Sequence, residues 1–220
     1  KFLALCLGLN GTNAKNFCLY CICNKKEIGL YNKNWKKKSI NILANDYTLY
    51  PEHIWQPLFT MILLENWIPD ELHLLLRITD HLWALMLAEV QINNKKIRKI
   101  ICDEIKQIVL QNFNFIKLFN QQRAILIKML WDEFYNLYTS LLDITTTGDE
   151  FEYYAKEWIE LFFTPSIGTT NTSMFVKGLY KPSDIIPYMH LLYSHIPNLI
   201  QHYNEIGLHA FFCEPIEKKS

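Results

Sequence analysis

Pro69-Asp70-Glu71-Leu72-His73-Leu74-Leu75-Leu76-Arg77-Ile78-Thr79-Asp80-His81-Leu82-Trp83-Ala84-Leu85-Met86 decides the fold class. A proline leads in, Asp70 and Glu71 suit the positive end of a helix dipole, and Leu72, Leu75, Leu76, Thr79, Leu82, Trp83 and Met86 recur at helical spacing. The pattern predicts a helix from Asp70 to about Val90.

Further windows repeat the pattern. A second helix fits residues 95–110, and a third fits 121–142, with Ile125, Met129, Leu130, Phe134, Leu137 and Leu141 on one side. After Gly148 a fourth spans 149–163, closed by Pro165. A Ser/Thr-rich loop at 166–173 leads into a short helix ending at Tyr180. Residues 183–203 then read as another helix, with Pro187 in its first turn and Pro197 bending or ending it near Ile196. The segment 2–9 fits strand or helix equally, and the polar, basic 33–50 reads as a loop.

Seven Gly and eight Pro leave few breakers in a chain that is 50% hydrophobic and 14% aromatic. The expected class is mainly α with little or no β, organised as a single unit. Within it, residues 1–50 hold a cysteine knuckle and a basic loop, 51–180 the helical part, and 181–220 a histidine-bearing helix and the run beyond it. The absence of an initiator Met and the charged ending at 216–220 read as a fragment.

Twenty-two basic residues balance twenty-two acidic ones, which argues against coating nucleic acid by bulk charge. Local patches remain. Lys25, Lys26, Lys33, Lys36, Lys37 and Lys38 surround Trp35 and are opposed only by Glu27; Lys95, Lys96, Arg98 and Lys99 form a second cluster. The first patch suits sequence-independent phosphate neutralisation, and suits a solvated loop equally well. Residues 1–9 are too short for a signal peptide, and no charge-free apolar run reaches membrane-spanning length. The expectation is an intracellular, non-secreted protein without a membrane partner.

Six cysteines are too sparse for a disulfide scaffold, and a reducing compartment fits them better. Cys18-Leu19-Tyr20-Cys21 can present two thiolates to one tetrahedral ion. His190-Leu191-Leu192-Tyr193-Ser194-His195 supplies the matching H-x4-H half. On an unbroken helix residues five apart point roughly 140° away from each other, so both imidazoles converge only where the helix ends or bends, as Pro197 allows. The same residues also suit two core thiols and two ordinary helix histidines. Cys23 could replace one ligand and ranks as a spare; Cys6, Cys102 and Cys213 read as buried and inert. Asp70 and His73 share a helix face at i, i+3, which suits a functional helix start or simply a cap.

Three ordered blocks resemble the catalytic subunit of the V(D)J recombinase and its Transib-type transposase relatives: Phe17-Cys18-Leu19-Tyr20-Cys21, Ile68-Pro69-Asp70-Glu71-Leu72-His73, and Tyr188-Met189-His190 through His195-Ile196-Pro197-Asn198-Leu199-Ile200. The resemblance implies that Cys18, Cys21, His190 and His195 bind one structural Zn2+. It implies that the chain is the zinc-binding helical insertion of an RNase H-like DDE core, which cleaves and joins DNA with two Asp, one Glu and two Mg2+ or Mn2+ ions. Glu217 is the implied catalytic Glu, with Glu214 behind it, whereas both Asp would fall at or before Lys1. The piece alone is therefore expected to be catalytically incomplete, although the intact protein would be nuclear, bind transposon-end or target DNA and act as a homodimer. The alternative is a non-catalytic, all-helical zinc-binding interaction module of transposon origin.

Overall fold

The computed structural model of the protein describes residues 2–9, 14–89, 115–117, 119–169, 172 and 174–211. The predicted helix at 95–110, the basic cluster within it, Cys102, Cys213, Glu214 and Glu217 lie outside the described residues.

Among the described residues the fold is mainly helical. Seven α-helices form: α1 (Phe2–Cys6), α2 (Ile40–Asn45), α3 (Glu71–Glu89), α4 (Gln121–Leu142), α5 (Gly148–Phe162), α6 (Pro187–Ser194) and α7 (Ile196–His202). Instead of strands there are isolated antiparallel bridges, Leu9 with His53, Cys21 with Lys37 and Ile167 with Val176.

Local chemistry explains where the long helices begin. Asp70 accepts a hydrogen bond from the Leu72 N–H at 3.1 Å, satisfying one free donor of the first turn of α3. Asn120 caps α4 by accepting from Arg123 N at 2.9 Å. Thr147 and Glu150 form a reciprocal capping box at the start of α5.

Helix α5 is central, packing against α4, α6 and α7, while α6 also touches α3. The α4–α5 interface is aromatic: Trp131, Phe134, Phe151, Trp158 and Phe162 are buried. The Trp158 indole N–H donates to the Leu130 carbonyl at 3.1 Å, so this large ring enters the core without an unpaired donor. Gly148 permits the close approach of α5 to α7, since a Cβ there would lie 2.5 Å from the Pro197 carbonyl oxygen.

Buried Arg123 ties three segments together. Its guanidinium pairs with Glu89 at the end of α3, with Nε to Oε1 at 2.8 Å, and donates to the carbonyls of Lys177 and Gly178 at 3.3 and 2.7 Å. The planar fork suits this role, donating simultaneously to a carboxylate and to backbone oxygens.

Several expectations need correction. The short helix expected to end at Tyr180 is extended chain: Leu179 N donates to Thr164 O at 2.8 Å and Tyr180 N to Phe162 O at 2.9 Å, so these amides are taken by the exit of α5. The expected loop at 33–50 contains α2, whose Ile40 and Leu43 are buried. The expected stripes hold for Leu75, Thr79, Leu82 and Met86 on α3 and for Leu130, Phe134, Leu137 and Leu141 on α4, all buried, but Leu72, Ile125 and Met129 are exposed, and Leu74, Ile78, Ile127 and Trp131 join the buried face. Both helices carry more apolar residues than one face can hold, so packing chose the face.

The expected helix over 183–203 is broken. His195, with φ −123° and ψ −36°, stands between α6 and α7, and Pro197 occupies the first turn of α7, where its missing N–H costs nothing.

Candidate metal centre

The break at His195 decides where the two imidazoles point. His190 projects from α6, His195 comes from the non-helical junction, and their ring centroids lie 5.1 Å apart at an interplanar angle of 81°. The Cys18–Cys21 loop meets them from the other end of the chain. Cys18 Sγ lies 3.2 Å from His195 Nε2, and Cys21 Sγ lies 3.4 Å from His190 Nε2.

All four ligand atoms fall within 4.8 Å of one another, and all four residues are buried. A tetrahedral zinc with the usual Zn–S and Zn–N bonds requires sulfur–nitrogen edges of about 3.5 Å. The cluster is compatible with a structural zinc site, having two soft thiol and two imidazole donors and no fifth position. Among the described residues no second group of three or more His, Cys, Asp or Glu is placed to hold a metal.

The surroundings hold the donors in ligand geometry. Backbone amides of Tyr20 and Cys23 donate to the sulfurs of Cys18 and Cys21, each at 3.4 Å. The Tyr193 hydroxyl donates to the Ile28 carbonyl at 2.7 Å, leaving its lone pairs to accept from His190 Nδ1 at 3.3 Å. The Ser194 hydroxyl lies at the same 3.3 Å from Nδ1, and with the proton on Nδ1 both oxygens can accept it while the Nε2 lone pair faces the cluster, as a metal-binding histidine needs. Tyr20 lies against the His195 ring at 5.0 Å, and Phe17 meets His190 edge-on at 5.7 Å.

Electrostatics within the protein alone disfavour a bare thiolate at Cys21. Its hydrogen bond with Cys18 pulls the thiol down, but the Cys23 thiol and burial outweigh it and push Cys21 up to about 12. A coordinated cation reverses this balance, because a metal-bound thiol is deprotonated. Cys23, the spare, stands outside the cluster and directs its own thiol to the Asn24 carbonyl at 3.7 Å.

The lysines expected to meet phosphate divide into two kinds. Lys25, Lys26, Lys33, Lys36 and Lys37 are exposed; Lys33 pairs with Glu27 at 2.9 Å and lies over the Trp35 ring, and Lys37 reaches Asn198 at 2.9 Å. Lys38 is a correction, because it is only 7% exposed and points inward beneath the cysteine loop, out of reach of a phosphate backbone. Burial pushes its ammonium down to about 8, opposed by the nearby thiols of Cys18 and Cys21.

A cavity of about 480 Å³ next to His195 is lined by Asn32, Lys33, Trp35, Lys37, Lys156 and Asn198, among others. Asp70 and His73 pair with each other at the exposed start of α3, and neither belongs to the four-residue cluster.

Reading the sequence missed Lys38, Tyr193 and Arg123 as organising residues. Tyr193, three residues after His190 on one helix face, was the one with a signal in the spacing. No protein family, no curated protein and no solved structure matches the chain. No described helix is long and apolar enough to cross a membrane.

Proposed function

We propose that this chain is a zinc-stapled helical unit of a DDE-type DNA transposase, with Cys18, Cys21, His190 and His195 holding one structural Zn2+. The observation that carries the zinc assignment is the convergence of four ligand atoms from opposite ends of the sequence. Four protein ligands leave no open position, so the ion closes the fold and performs no chemistry.

The transposase assignment draws its support from the ordered motif resemblance, which has a Cys pair and a His pair separated by a helical insertion. In the intact enzyme the unit would carry Glu217 towards two catalytic Asp, and those carboxylates would hold the Mg2+ or Mn2+ ions. The exposed lysines around Trp35 would steady the DNA backbone.

Two measurements test the reading. Purified protein is expected to contain one zinc per chain, and Cys18→Ser with His195→Ala is expected to abolish it; metal-free protein of full stability sinks the zinc assignment. The reading frame upstream of Lys1 is expected to encode both Asp, and a chain carrying that segment is expected to nick DNA with Mg2+ and to lose activity on Glu217→Gln. An upstream frame without an Asp close to the cysteine loop sinks the transposase assignment.

A second reading, a non-catalytic zinc-binding interaction module, rests on the exposed apolar side chains of segment 54–63, with Leu58 at 65% and Met61 at 77% exposure. It predicts no nicking under any of these conditions.

A further inference from the structure

We propose that Lys38 is the positioning residue of the cysteine loop, holding Cys18 in ligand geometry and thereby setting how tightly the metal is kept. The inference rests on the zinc assignment and adds to it a residue outside the ligand set.

Lys38 grips the loop twice. Its ammonium donates to the Cys18 carbonyl at 2.7 Å, and its backbone N–H donates to the Tyr20 carbonyl at 2.7 Å. Ile22 N donates back to Lys36 O at 3.1 Å, so segment 36–38 runs alongside 20–22 like a short clamp. The carbonyl and side chain of Cys18 spring from one residue, so fixing the first limits where the second can point.

The other end of the side chain's reach is anchored as well. Lys38 Nζ donates to His53 Nε2 at 3.0 Å, and His53 Nδ1 donates to the Leu7 carbonyl at 2.9 Å. One tautomer satisfies both bonds, because a proton on Nδ1 leaves the Nε2 lone pair to accept from the ammonium. His53 is itself held by its bridge to Leu9, and Ile54 N donates to Gly8 O at 2.8 Å. The result is a strut running from the Leu7 carbonyl through His53 and Lys38 to the first cysteine of the zinc loop.

An ammonium is costly to bury without partners, and no carboxylate pairs with this one among the described residues. Its neighbours Lys36 and Lys37 lie in water. A lysine drawn inward at this cost, with a ligand's own carbonyl as acceptor, is an outer-sphere support of the metal, and removal of such supports typically costs about 10–100-fold in affinity.

The test uses the full zinc-loaded chain and a competing chromophoric chelator. Lys38→Met is expected to weaken zinc binding by about 10–100-fold and to speed its release, with the helical circular dichroism of the loaded protein unchanged. Lys38→Arg, which keeps charge and donors, is expected to recover much of the loss. Leu130→Ala, which hollows the core far from the loop in sequence, is expected to lower stability without that loss of zinc affinity.

Should Lys38→Met fail to fold, His53→Phe, which cuts the strut and spares the Cys18 contact, is expected to weaken zinc by a smaller factor. Wild-type affinity in the variant that folds, or an equal loss in Leu130→Ala, overturns the proposal. Wild-type protein that binds no zinc instead overturns the assignment on which it rests.

Discussion

Cys21 Sγ and His190 Nε2 lie 3.4 Å apart although 169 positions separate them in the chain. A bond through a shared ion therefore closes nearly the whole sequence into one loop. By the chain-entropy relation for cross-links, such a closure is worth about 5 kcal/mol. For a protein of this size that corresponds to a fall in Tm of roughly 10–20 °C on metal removal. A calorimetric scan with and without a strong chelator checks this, and coincident transitions would exclude a bound structural ion.

Metal retention is expected to depend on pH with a definite sign. Cys21, raised to about 12 in the protein alone, must release its proton to bind zinc. Each displaced proton makes apparent affinity fall about tenfold per unit drop in pH, so zinc should be held at neutral pH and lost on acidification. Chelator competition between pH 8 and 6 measures the slope.

Gly148→Ala is expected to destabilise the protein by about 1–3 kcal/mol, since the new methyl would meet the Pro197 carbonyl and push α5 from α7. Pro197 is two residues beyond His195, so the same substitution should speed zinc release. A stability loss with unaltered release would show that α7 moves without its ligand.

Arg123 and Glu89 form a buried pair, with side chains 6% and 14% exposed. Arg123→Met would leave the carboxylate without its main partner and two backbone carbonyls without a donor, at an expected cost of about 3–5 kcal/mol. Burial raises the Glu89 carboxyl, but Arg123 and Lys177 outweigh it and hold it below its ordinary value of 4.5. Its contribution is thus complete above the unfolded-state value and is lost as pH falls through the folded one. Urea titrations at neutral and acid pH should show an acid-side loss that Glu89→Gln flattens.

If the exposed lysines meet DNA, binding should weaken steeply with salt. Lys36→Ala and Lys37→Ala should each reduce the log–log slope by about one. Lys38→Met, in zinc-loaded protein, should leave the slope unchanged because that side chain is buried. A wild-type slope near zero removes the DNA contact.

The sequence was most informative where a feature is local. Helix α4 has the expected ends because Asn120 and Asp143 bound an unbroken periodic run, and α5 starts one residue early only because Gly148 enters the first turn. The Cys and His spacings pointed to one cluster, and Pro197 pointed to the region where the helix breaks. Other features depended on distant partners and left no local pattern. Nothing in the run Lys36-Lys37-Lys38 distinguishes the lysine that turns inward, because that choice is made by His53 and the Cys18 carbonyl. Likewise, the amides of Leu179 and Tyr180 are claimed by residues 164 and 162, which periodicity within 175–180 cannot register.

The span between the two halves of the metal cluster also imposes an order of events during synthesis. Cys18 and Cys21 leave the ribosome roughly 8–35 s before His190 and His195 at ordinary elongation rates. Throughout that interval the nascent chain carries two thiols without their imidazole partners, so a four-ligand metal site could close only after His195 has emerged.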